Sequence, residues 1–186
     1  ETLPAGFQDT AVFAGLTDPT VVRFSPDGRV FVAEKSGRIK VFDGLDDRTP
    51  TKVVDLRTQV HNFWDRGLLG FNLDPQFPAS PYLYVLYAHD AAIGGVAPRW
   101  GTAGATSDPC PTPPGPVTNG CVVSTRLSRV RLSGNTMVGA EQVLVSDWCQ
   151  QYPSHVAGDI EFDADGSLYA SGGDGASFTF NDYGQF

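Results

Sequence analysis

The stretch His155–Gly175, HVAGDIEFDADGSLYASGGDG, decides the fold. On either side of Asp165-Gly166 its residues alternate apolar and polar, the period-2 pattern of a strand with one buried face. An Asp-Gly pair between two such runs marks a β-hairpin, because glycine accepts the positive φ that the turn needs. At the left end an imidazole stands just before the first strand, where a loop can present it to a ligand. A near copy, VVRFSPDGRVFVAEKSG, begins at Val21 and lacks the histidine. A repeated unit with an ionisable group added to one copy points to a repetitive scaffold that carries a site.

The same alternation runs through the rest of the chain, and no window of a dozen residues holds a helical stripe. Segments 20–25, 29–34, 38–43, 52–55, 67–73, 82–88, 122–132, 142–146, 159–163 and 167–171 read as strands. Phe24 and Phe162 stand in matching places before their Asp-Gly turns, 138 residues apart (162 − 24). Phe71 in GLLGFNLDPQF reads as a looser third copy, 47 residues after the first (71 − 24). Units of about 40–50 residues with four strands each are blades of a β-propeller. The expected organisation is all-β, with about two and a half blades of a propeller. Blade 1 covers about 11–60, blade 2 about 61–150 with an insertion at 91–121, and blade 3 starts over about 155–186. Propellers close with roughly four to eight blades, and fewer would leave sheet edges open. The chain therefore reads as the N-terminal part of a single larger propeller domain. The alternative is a small, complete β-sandwich with a fortuitous repeat.

Composition agrees with a turn-rich β protein. Of 186 residues, 21 are Gly and 14 Pro, charged residues make up only 18%, and aromatics reach 11%. The net charge of −8 offers no basic stripe for nucleic acid or anionic lipid. No apolar run approaches the ~20 residues of a membrane span, and Glu1 reads as a mature N-terminus after removal of a signal peptide. Cys110 and Cys121 bracket a Pro/Gly-rich loop, and a disulfide closing a loop of this size contributes ~3 kcal/mol in the chain-entropy account. Such a bond implies an oxidising compartment, secreted or periplasmic. Cys149 is left over, which suggests a free thiol, an intermolecular bond or a partner missing from this chain, and the missing partner is the expectation.

Four segments in order, LPAGF, FSPDGRVFVAEKSGRIKVFD, DRGLLGFNLDPQF and HVAGDIEFDADGSLYASGGDG, resemble the glucose/sorbosone dehydrogenase family. The insertion DPCPTPPGPVTNGC and the segment DWCQQYPSH resemble its secreted bacterial branch. The resemblance implies a six-bladed propeller that uses pyrroloquinoline quinone (PQQ) with calcium to oxidise the C1 hydroxyl of aldose sugars to lactones. It also implies a sugar substrate and an external electron acceptor. The His-x-x-Gly histidine of the family is its general base and matches His155 here. Imidazoles exchange protons near neutral pH, and a positioned base typically contributes 10²–10⁴-fold.

Around that histidine the resemblance nominates cofactor-binding residues. Asp65 stands where the family commonly has Gln or Glu near the quinone. Trp64, beside Phe63, can wall a planar ring. Asp174 matches the Gly-Asp that closes the family motif, where it caps the hairpin. Asp65 and Arg66 also read as a local ion pair. The chain departs from the family pattern at Asp159 after Gly158, at Ser154 before His155, and at Asp65 itself. These departures bear on which sugar is taken.

The other titratable motifs carry less. His61 lies close in sequence to Asp65 and reads as part of a pocket rim, whereas His89 reads as a surface residue ending its strand. Three scattered histidines show no zinc-ligand spacing, and no G-x-S-x-G elbow or P-loop occurs. SPDGR and DADGS are turns, because they lack the long oxygen series of a calcium loop. No metal ligands are nominated in this chain, and the calcium ligands implied by the family fall mostly beyond residue 186. The alternative function is a non-catalytic propeller that binds carbohydrate or protein. A lactonase-type metal propeller would need more Asp and Glu at strand starts.

Overall fold

The computed structural model describes residues 3–110 and 121–176. Residues 111–120 of the expected insertion and 177–186 of the expected third blade lie outside the described residues. Among the described residues, ten strands form three antiparallel sheets with neighbours in simple chain order. The first sheet holds β1 (Pro19–Phe24), β2 (Val30–Glu34), β3 (Arg38–Phe42) and β4 (Thr51–Asp55). The second holds β5 (Leu68–Leu73), β6 (Tyr82–His89), β7 (Val123–Ser133) and β8 (Thr136–Gln150). The third is the hairpin β9 (Ala157–Phe162) and β10 (Leu168–Gly172).

The repeat read from the sequence is a repeat of hydrogen bonds. In the first sheet Ser25 N donates to Arg29 O (2.9 Å) and Gly28 N to Ser25 O (3.0 Å). In the third, Asp163 N donates to Ser167 O (2.9 Å) and Gly166 N to Asp163 O (3.0 Å). The register carries the match further. Pro19 faces Glu34, Leu68 faces Tyr87 and Ala157 faces Gly172, each next to a β-bulge that puts one extra residue in the first strand. The second sheet corrects one sequence assignment. Leu73, not Phe71, stands where Phe24 and Phe162 stand, since Asp74 N donates to Tyr82 O (3.0 Å) at the start of its turn. Counting back from these positions, Arg66 occupies in the second sheet the place of His155 in the third.

Packing decides between propeller and sandwich. One face of the second sheet (Leu68, Phe71, Leu83, Val85, Tyr87) packs on Val21, Phe31, Ile39 and Val53 of the first. Its other face, through Leu86, packs on Ala157 and Ile160 of the hairpin. A two-layer sandwich buries one face of each sheet, whereas a middle blade is buried on both. Hence β6 reads almost continuously apolar, YLYVLYAH, rather than alternating. The opening strands β1, β5 and β9 lie side by side. Thr20 Oγ1 donates to Leu68 O (2.8 Å), and Asn72 Nδ2 reaches Glu161 Oε1 (3.0 Å). Arg23 reaches across to Asp159 at 2.8 Å. Gly70 permits the closest approach, as a Cβ there would sit 3.0 Å from Asp159 Cα. The fold is a row of propeller blades with their first strands adjacent.

All ten expected strands exist, with ends moved by one or two residues except in β8. That strand runs 15 residues rather than five. It is the outer edge of its sheet and mostly exposed, so its residues lack the in/out alternation by which strands are read.

Candidate active site

Three loops meet at the end of the molecule where β1, β5 and β9 begin. Lys35 N donates to Asp18 O (2.9 Å), Leu68 N to Lys35 O (2.8 Å), and Asp65 N to Pro153 O (3.1 Å). Among the described residues, the non-glycine positions with positive φ are Asp18 (45°), Trp64 (51°) and His155 (51°). Each sits in one of these loops. Left-handed backbone at bulky residues is costly and clusters at sites that the surrounding structure over-determines.

His155 is held from several directions. Its carbonyl accepts from Gly175 N (2.9 Å), and next to it Ser154 Oγ donates to Ala176 O (2.6 Å). Val156 O accepts from Gly173 N (2.7 Å). On the side chain, Nδ1 lies 3.1 Å from Asp174 Oδ1, which also accepts from Ala176 N at 3.0 Å. A carboxylate can only accept, so the proton of the neutral ring sits on Nδ1 and the lone pair on Nε2. The imidazole is about one-third exposed, at 37%. This tautomer suits a base.

Asp174 thus caps its turn and orients the imidazole at once. Trp64 is 59% exposed and stacks on Phe63, with centroids 5.5 Å apart and planes inclined by 12°. Its carbonyl accepts a short bond from Lys35 Nζ. Asp65 is exposed, and its backbone amide rather than its carboxylate reaches the His155 loop. His155 and Asp174 are in direct contact, while the loop of Trp64 and Asp65 is joined to theirs through the Asp65 N–Pro153 O bond.

Three sequence readings need correction. Arg66 makes no local pair with Asp65; it is fully buried and donates to the carbonyls of Cys121 (2.5 Å), Gln150 (3.1 Å) and Gln151 (3.3 Å). His61 is not on a rim but buried beside Arg66, with its Nε2 3.4 Å from Pro109 O. Burial, and then the Arg66 charge, lower its pKa to about 4. His89 is buried too, and desolvation followed by the Arg126 charge brings it to about 4.

Sequence reasoning also missed the carboxylates that seat the insertion. Asp90 is buried and accepts from the amides of Arg99 (3.1 Å), Trp100 (3.1 Å) and Gly101 (2.9 Å). Asp108 is buried with its Oδ2 on Asn62 N at 2.7 Å, and desolvation raises its pKa to about 6. An acidic residue straight after an apolar strand and ahead of a Gly-rich loop was the available signal for Asp90. The Cys110–Cys121 disulfide is present.

A cleft of about 230 Å³ lies on the hairpin face between Asp159, Glu161, Tyr169 and Ser171. Neither His155 nor Trp64 lines it, so the loop mouth, where the chemistry-bearing groups converge, is the better candidate site. Among the described residues no cluster of three His, Cys, Asp or Glu side chains could hold a metal ion. No helix there is long and apolar enough to cross a membrane.

The sequence profile described as Glucose / Sorbosone dehydrogenase matches residues 16–184, spanning all ten strands and the three loops. The chain belongs to the glucose/sorbosone dehydrogenase family. Solved structures agree on the fold. A putative oxidoreductase (glucose dehydrogenase) from Thermus thermophilus is 26% identical with a TM-score of 0.59, over 88% of this chain and 39% of its own. The PQQ-bound aldose sugar dehydrogenase of Streptomyces coelicolor is 19% identical with a TM-score of 0.61, over 90% and 41%. Another glucose dehydrogenase is 21% identical with a TM-score of 0.59, over 87% and 39%. This glucose/sorbosone dehydrogenase chain thus spans about two-fifths of the solved structures it resembles. No curated protein sequence matches it significantly.

Proposed function

We propose that the whole protein is a secreted or periplasmic quinone-dependent sugar dehydrogenase that oxidises the C1 hydroxyl of aldoses to lactones, with an external electron acceptor. Residues 1–186 are the N-terminal part of its single propeller and supply one wall of the active site. What carries this reading is the His155–Asp174 pair at the mouth where three blades begin, in a chain of this family. The family membership, the PQQ-bound relative and the disulfide support it.

The residues here fit one wall of a PQQ site. Trp64 is exposed and stacked on Phe63 in one of the loops at the mouth, which suits it to meet a planar ring or a sugar face. Asp65 adds an exposed carboxylate beside it. Calcium belongs with the quinone in this reading, on ligands mostly beyond residue 186. When bound, PQQ would supply the acceptor for the hydride of the sugar C1 carbon.

The protein's own part is proton handling and orientation. His155 Nε2 takes the proton of the C1 hydroxyl as the C1–H bond breaks, which leaves a C1 carbonyl. The imidazolium formed is stabilised by the Asp174 carboxylate against Nδ1–H, 3.1 Å away. Reconstitution of the full-length protein with PQQ and calcium, followed by dye reduction with a panel of aldoses, tests the reading. Turnover supports it. Sugar binding without turnover would favour the non-catalytic propeller.

A further inference from the structure

Arg66 is the largest fully buried side chain of the described residues, and the chemistry above makes no use of it. Its acceptors are neutral. Nη1 donates to Cys121 O (2.5 Å) and faces Cys121 Sγ (3.3 Å) and His61 Nδ1 (3.4 Å). Nη2 donates to Gln150 O (3.1 Å) and Gln151 O (3.3 Å). No carboxylate lies within ion-pair distance of it among the described residues. Burying a guanidinium without a salt bridge is expensive, and the bonds to the three carbonyls are what offset that cost.

Three segments converge on that fork. Arg66 itself ends the loop that carries Trp64 and Asp65. Cys121 closes the disulfide-bound insertion. Gln150 ends β8 and Gln151 begins the loop to His155, whose next points of attachment are Tyr152 N on Gly175 O (3.1 Å) and Pro153 O under Asp65 N (3.1 Å). Arg66 also holds the register position of His155 one blade earlier. The same place in the repeat is thus turned outward as an imidazole in one sheet and inward as a clamp in the other.

We propose that Arg66 is a positioning residue, whose buried fork fixes the His155 loop to the Trp64–Asp65 loop and to the disulfide-closed insertion, and thereby sets the orientation of the His155 imidazole. The claim rests on the proposed base role of His155 for its kinetic consequence, but not for its structural one. A lysine cannot replace the fork, because one ammonium cannot span the carbonyls of Cys121 and Gln150 in fixed geometry.

The test uses full-length Arg66→Met and Arg66→Lys proteins. Exchange of a buried charge for an apolar chain of similar length is often tolerated, so Arg66→Met is expected to fold. Histidine reactivity toward diethyl pyrocarbonate, read by peptide mass spectrometry, reports the loop without any sugar or quinone. We expect His155 to react at least threefold faster in either variant, while buried His89 keeps its parental rate. In protein loaded with PQQ and calcium, kcat is expected to fall at least tenfold with KM changed less than threefold. A His155 reactivity within twofold of the parent's overturns the proposal, whatever the activity. Should Arg66→Met fail to fold, Arg66→Lys decides by the same rate. If the parent oxidises no aldose, the sugar-dehydrogenase reading fails while the reactivity result still decides the role of Arg66.

Discussion

His155 and Asp174 meet at 3.1 Å, Nδ1 against Oδ1, across the two ends of one hairpin. The residues are 19 apart in sequence, and the β9–β10 pairing brings them together. The contact leaves the ring with its lone pair on Nε2. Asp174→Ala removes the group that selects this tautomer and steadies the imidazolium. Turnover by the reconstituted protein should fall by about tenfold or more, with global stability little changed because Asp174 is half-exposed. Parallel dye-reduction and urea-unfolding measurements check both halves, and unaltered kcat would remove Asp174 from its orienting role.

Gly173 makes the hairpin closure possible. A Cβ at this position would lie 2.1 Å from His155 O, a backbone atom that cannot swing away. Gly173→Ala must therefore push the His155 loop off the strand and break the Gly173 N–Val156 O bond of 2.7 Å. A loss of about 2–4 kcal/mol is expected in chemical denaturation, together with loss of turnover. Wild-type stability in this variant would show that the two segments do not touch.

The buried titratable groups under the insertion make opposing contributions as pH changes. His61 and His89 have folded pKa values near 4, below the ordinary 6.5. Their stabilisation is complete above about pH 6.5 and is lost as pH falls toward 4. Asp108, raised from 3.8 to about 6, behaves oppositely: its contribution is present below about pH 4 and is lost as pH rises through 6. Asp108→Asn keeps an oxygen for the Asn62 amide without the buried charge. Urea unfolding should show this variant about 1–3 kcal/mol more stable than the parent at pH 7.5, and hardly different at pH 4. An equal gain at both pH values would contradict the assignment.

Cys149 is exposed near the end of β8, whereas Cys110 and Cys121 are already paired. Peptide mapping of the full-length protein without reductant should recover Cys110 linked to Cys121, and Cys149 linked to a cysteine beyond residue 186. Recovery of Cys149 as an alkylated thiol would make it a free surface cysteine.

The blades were legible because their signals are local. Asp-Gly turns at 27–28 and 165–166, with alternating residues on both sides, specify hairpins wherever they occur in a chain. The site was legible in part for a related reason: His155 and Asp174 bracket one hairpin, so a single motif holds both. Arg66, Asp90 and Asp108 were not legible, because their surroundings come from distant segments: residues 99–109 and Cys121 meet the loop before β5. Nothing within a few residues of Arg66 announces that carbonyls 55 and 84 positions away will surround it. His89 was misjudged similarly, since a strand end that looks solvated from its neighbours in sequence is covered from above. Asp65 and Trp64 were nominated by position alone, and the structure adds the bond from Asp65 N to Pro153 O that ties their loop to the His155 loop.

The account stands or falls on the imidazole at the mouth of the blades. Full-length protein should be reconstituted with PQQ and calcium and assayed for aldose-dependent dye reduction, with His155→Ala measured alongside under the same loading. The account predicts turnover in the parent and a loss of about 10²–10⁴-fold in the variant, with the fold retained. Equal turnover by the two proteins would contradict it.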